Sequence, residues 1–92
     1  MPKYFAEKVF GHWLYFTSHC ILEAMHVHAS DKHLTEANSA KFFVREDGST
    51  VLKKRGDLTE REINIIQRFI KENYLDMYRM WKDFGGEGFY KI

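Results

Sequence analysis

The order of hydrophobic periods along the chain predicts an α+β fold: a small antiparallel sheet of about four to five strands with one long or broken C-terminal helix packed on one face. Three observations carry that expectation. Apolar positions recur at a period of two through the first half of the chain, the period changes to 3.6 from Ile63 onward, and glycines together with a Glu-Asp-Gly-Ser cluster mark the joints. Ninety-two residues supply one hydrophobic core, so residues 1–92 read as a single domain and two-domain enzymes are excluded.

Residues 3–10 and 12–17 are aromatic and β-branched runs separated by Gly11-His12, the pattern of two strands joined by a tight turn. In residues 24–29, Ala24-Met25-His26-Val27-His28-Ala29, apolar residues alternate with histidine as in a half-buried strand. The polar stretch from Ser30 to Ala37 reads as a mobile loop. Residues 38–45 and 50–54 flank Glu46-Asp47-Gly48-Ser49, which predicts an antiparallel hairpin. Then Ile63, Ile66, Ile70, Tyr74, Met77 and Trp81 fall at steps of three and four, with Phe69 and Tyr78 widening the stripe, and this spacing predicts a helix. Thr59 and Glu62 form a capping box at its start, Asp57 adds negative charge near the positive end of the dipole, and Gly85-Gly86 end it. Asn73 and Tyr74 are a place where it breaks, since Asn tolerates left-handed backbone. Phe89-Tyr90-Lys91-Ile92 reads as a short edge strand.

Composition narrows function before any motif does. Fourteen Lys and Arg against thirteen Asp and Glu leave a formal charge of +1, so the chain lacks the global basic field of a dedicated nucleic-acid binder and any phosphate binding must be local. Cys20 is the single cysteine, which permits no intramolecular disulfide and points to a reducing compartment; with no leader-like or membrane-spanning stretch, the cytoplasm is the expected location and no membrane partner is expected. A nucleophilic Cys20 beside His19 is weighed against a small buried hydrophobe, and the plainer reading takes precedence because sequence adjacency is not catalytic geometry. Eight Phe, five Tyr and two Trp make fifteen aromatics, which together with five His is the unusual part of the composition.

His26 and His28 stand two apart on a strand and therefore share a face. They are candidates to hold a divalent metal, the one cofactor the sequence allows, with His12, His19, Glu23 or His33 as a third ligand. Against this stands the plainer reading of two exposed histidines that bind no metal, because a bare His-x-His is loosely specified.

The segment Glu23-Ala24-Met25-His26-Val27-His28-Ala29 resembles the Glu-Pro-x-His-x-His-Val signature of DUF4160, a bacterial family of domains of unknown function. The resemblance extends to Ala40-Lys41-Phe42-Phe43 in the following hairpin and to Trp81-Lys82-Asp83-Phe84 at the end of the helix, and so covers nearly the whole chain. Ala24 stands where the family usually has Pro, and Ser18-His19 where an acidic residue or Asn is common. What the resemblance implies is a small cytoplasmic bacterial or phage protein, often encoded beside another small protein and suspected to belong to toxin–antitoxin-like modules, with no established activity.

Three functions compete. The first is RNA binding or cleavage on the open face of the sheet: Lys41, Arg45, Lys53 and Arg55 for phosphate, Trp13, Tyr15 or Phe43 for stacking, and His26 and His28 as catalytic acid and base toward a 2′-hydroxyl. The second is an interaction module that binds a cognate small protein or a second copy of itself through surplus aromatic surface. The third is metal-dependent activity at His26 and His28. The helix contributes to none of them, since Arg68 with Glu72 and Asp76 with Arg79 read as a solvated, salt-bridged face.

Overall fold

Four strands in chain order form the sheet: β1 (Trp13–Tyr15), β2 (His26–Ser30), β3 (Ala40–Val44) and β4 (Thr50–Lys54), followed by the helix α1 (Glu60–Asp83). The structure is a computed structural model and describes residues 2–32 and 37–92. Each strand pairs antiparallel with the next, giving the order β1-β2-β3-β4. The centre of the expected 30–37 loop, His33 included, lies outside the described residues.

The period-two pattern has the expected physical result. Leu14, Val27, Ala29, Ala40, Phe42 and Val44 share one face and pack against Ile63, Ile66, Ile70, Met77 and Trp81 of α1 in a single buried cluster. Each fully buried Ile or Phe there contributes roughly 1.5–3 kcal/mol relative to exposure. No described helix is long and apolar enough to cross a membrane.

Three expectations about elements need correction. The run 3–10 forms no regular strand: it meets β1 through the isolated bridges Lys3–Tyr15 and Val9–His12. Phe10 and Gly11 both have positive φ, 46° and 81°, the two-residue turn that joins these bridges. Tyr4 and Phe5 instead satisfy their apolar surface by side-chain contact, Tyr4 against Phe16 at 5.1 Å between ring centroids and Phe5 against Phe69 at 5.1 Å. Nor does the helix break at Asn73, because the Asn73 amide donates to the Phe69 carbonyl one turn back at 2.8 Å and buried Ile70 and Met77 hold the backbone on either side. Tail residue Tyr90 bridges Arg45 in parallel, without extending the sheet by a full strand.

The helix ends are as expected. Thr59 accepts from the Glu62 amide while Glu62 accepts from the Thr59 amide, and at the other end Gly86 N–H reaches Trp81 O and Gly85 N–H reaches Lys82 O, a Schellman closure with Gly85 at φ 87°.

Candidate functional site

Strand parity puts His26, His28, Lys41, Phe43 and Tyr15 on the sheet face away from the main core. Tyr15, His28, Lys41 and Lys54 are successive cross-strand partners, one row over all four strands. That face is not open where the sequence expected it to be. His26 and His28 are 0% and 2% exposed, and Tyr15 is fully buried. The covering is aromatic: Tyr15 stacks on His28 at 5.6 Å, the two imidazoles meet edge-on at 5.1 Å, and Phe43 and Trp81 lie 5.6 and 5.4 Å from His26. The expectation of exposed histidines is therefore corrected. Parity fixes which side of the strand a residue takes, but the 16–25 segment and the end of α1 decide whether that side meets water.

Burial also fixes the ring nitrogens. The Nδ1–H of His26 donates to the Ala24 carbonyl at 2.9 Å, and His28 Nδ1 shares a hydrogen bond of 3.0 Å with the hydroxyl of buried Ser39. At this end of β2 the residue gathered with the histidines is Cys20, on the single 3₁₀ turn Cys20–Leu22: one ligand atom from each of Cys20, His26 and His28 lies within 4.8 Å of the others. Of the expected third ligands, His12 sits elsewhere, against Glu62 at 3.7 Å, His19 is exposed, and the Glu23 carboxylate is held by Lys41. Exposed His19 and buried Cys20 form no nucleophile–base pair. The spacing Cys-x5-His-x-His was the available sequence signal for Cys20, and treating the cysteine as an apolar residue hid it.

The far face opens at β3 and β4. A β-bulge falls between Lys41 and Phe42 in the pairing, where Lys41 lies opposite Lys54 while Phe42 lies opposite Leu52, so Lys53 is the inserted residue. A bulge sets two consecutive residues against one on the partner strand. Lys53 and Lys54 accordingly line one cleft with Lys41 and His28, about 380 Å³ in volume. Lys41 Nζ donates to both oxygens of Glu23, at 3.0 and 3.1 Å, and lies 5.0 Å from the Phe43 ring. That hydrogen bond holds the Glu23 carboxyl below its usual value against the opposing effect of partial burial, with the nearby charge of Lys41 adding to it. Lys41, paired with Glu23, thus shares the cleft with Lys53 and Lys54.

The other two expected phosphate ligands do structural work. Arg45 donates to the Ile92 carbonyl at 2.9 Å and to Ser49 at 3.3 Å, and lines a different hollow beside Tyr90. Arg55 ties the turn before α1, to Leu58 O at 3.1 Å and Glu60 at 2.8 Å. Lys41 and Lys53 thus meet, and Lys54 joins them. The aromatic surplus that would mark a protein interface is largely consumed: among the described residues, Phe10 and Phe84 are the exposed aromatics, at 47% and 52%.

Residues 11–82 match the family described as Domain of unknown function (DUF4160). No curated protein and no solved structure matches the chain.

Proposed function

Because the chain belongs to DUF4160, a family defined without an activity, we propose its function from the cleft: it binds the phosphate backbone of single-stranded RNA through Lys41, Lys53 and Lys54. The observation that carries this reading is the bulge in β4, which lets consecutive lysines face the same cleft beside a third from β3. Half-buried Trp13 lies on the same face at the β1 edge of the sheet, with Lys3 Nζ 3.9 Å over its ring, and offers an aromatic surface for an RNA strand that crosses the face. Such a site is local, as the overall charge of +1 requires.

The proposal is one of binding without cleavage. A general acid or base must come within hydrogen-bond reach of the proton it moves, and rings 0% and 2% exposed do not offer that reach to a 2′-hydroxyl. A toxin–antitoxin-type role would on this reading run through RNA occupancy, with a cognate small protein acting by covering the lysines.

The test is anisotropy of a labelled single-stranded RNA over a salt series. Each lost phosphate contact reduces the steepness of log affinity against log salt by roughly 0.7 for a single strand. Lys53→Ala/Lys54→Ala should weaken binding and flatten the slope by roughly 1.4. Wild-type affinity and slope in the double variant would refute the proposal, as would RNA binding that is absent at low salt.

A further inference from the structure

We propose that Cys20, His26 and His28 form a zinc site with three protein ligands. These residues come from two separate pieces of chain, the 3₁₀ turn and β2, and their ligand atoms lie within 4.8 Å of one another with exposures of 0%, 0% and 2%. Zinc with sulfur at about 2.3 Å and imidazole nitrogen at about 2.0–2.1 Å in tetrahedral array puts ligand atoms roughly 3.3–3.6 Å apart. The three groups therefore stand wider than a closed site by at most about 1.5 Å, within reach of small side-chain rotations around an ion.

The surroundings of each ligand match what a metal site needs. Metal-bound imidazoles usually donate their second ring nitrogen to a carbonyl or another fixed acceptor. His26 does so to Ala24 O, which places its proton on Nδ1 and the lone pair on Nε2, and His28 uses Nδ1 toward Ser39. Cys20 Sγ lies 3.2 Å from both the amide nitrogen and the hydroxyl of Thr17, two donors suited to a thiolate. The carboxylate of Glu23 is close enough to feel both imidazoles and would offset part of the positive charge an ion brings.

One thiolate with two imidazoles is a soft-to-borderline set, suited to zinc rather than to magnesium or calcium, which take oxygen. Three protein ligands leave one position for water. Because the ligands join the turn at Cys20 to the first strand of the sheet's centre, ion binding would fasten the 16–25 segment that covers the histidines, and its free energy would add to folding stability.

The experiment titrates the tag-free, metal-stripped chain with Co²⁺ and then with Zn²⁺. A thiolate-to-cobalt charge-transfer band saturating at one ion per chain and displaced by zinc is expected, together with a higher melting temperature in zinc. Cys20→Ser should remove the band, Ser39→Ala should lower zinc affinity by about 10–100-fold, and His19→Ala should leave both unchanged. Cobalt bound without a thiolate band, or no binding at all, overturns the site on the wild-type protein alone, whether or not Cys20→Ser folds. Equal binding by a folded Cys20→Ser variant does the same. RNA binding by Lys53 and Lys54 is measured separately and stands or falls without this result.

Discussion

Gly56 shows how one residue without a side chain sets the position of others. Its φ is +60°, and an added Cβ would lie 2.6 Å from Ala40 N and 2.8 Å from Ser39 C, both backbone atoms that cannot swing aside. Gly56→Ala should therefore lower stability by about 2–3 kcal/mol, from left-handed backbone strain plus the forced shift of β3. Urea unfolding checks it: the midpoint falls and the slope is unchanged. The shift lands on Ser39, so the hydrogen bond that orients His28 would be disturbed with it. Cys20 is the opposite case at this scale. A buried cysteine in sequence looks like any small apolar residue, and only the chain reversal between residues 17 and 25 brings its sulfur to the histidines. That reversal depends on contacts with the tail, such as Met25 N–H to Gly88 O at 2.9 Å, which no local pattern announces.

Among the elements, α1 was legible to its caps because each signal lies within three or four residues of its effect. Thr59→Ala removes the side-chain half of the box and should cost about 1 kcal/mol, seen as a lower melting temperature with unchanged helical signal at low temperature. Inside the helix, local reading was less secure: Asn73 has a weak preference for helix, and tertiary burial of Ile70 and Met77 overrides it. The 3–10 run failed for a related reason. Aromatic and β-branched residues favour strands because they pack well on a sheet, and Tyr4 and Phe5 find equivalent packing without a ladder. The β4 bulge left no sequence mark beyond the three consecutive cations Lys53-Lys54-Arg55. Their separation into two cleft residues and one turn residue is a property of pairing geometry.

For the whole molecule, acid is the informative perturbation. Glu62 is held below its usual value chiefly by the hydrogen bond with the Thr59 backbone, Asp47 chiefly by the Ser49 hydroxyl, and Glu23 chiefly by Lys41. A carboxyl with a lowered folded-state pKa adds stability that is complete above its unfolded value and is lost as pH falls through the folded one. Stability should thus hold steady at neutral pH and decline from roughly pH 4 downward, near the unfolded carboxyl values. A chemical-denaturation midpoint that is flat between pH 6 and 3 would contradict this. Asp47 and Glu23 are exposed and the Glu62 side chain keeps 25% of its surface in water, so the decline should be shallow. Charge is also where composition was least informative: a total of +1 does not say that Lys41, Lys53 and Lys54 line one cleft, which follows from the pairing geometry of β3 and β4.

The order of strands in the sheet has a kinetic side. Since every strand lies beside its neighbour in sequence, the sheet can assemble by closing short loops one after another, each at a small cost in chain entropy. The bonds from Gly88 and Tyr90 to Met25 and Val44 run the other way, across half the chain. Their closure carries the larger entropic cost, and topology of this kind places it among the later steps of folding. The end of β2 that carries the histidines would then be the last part of the sheet to be sealed.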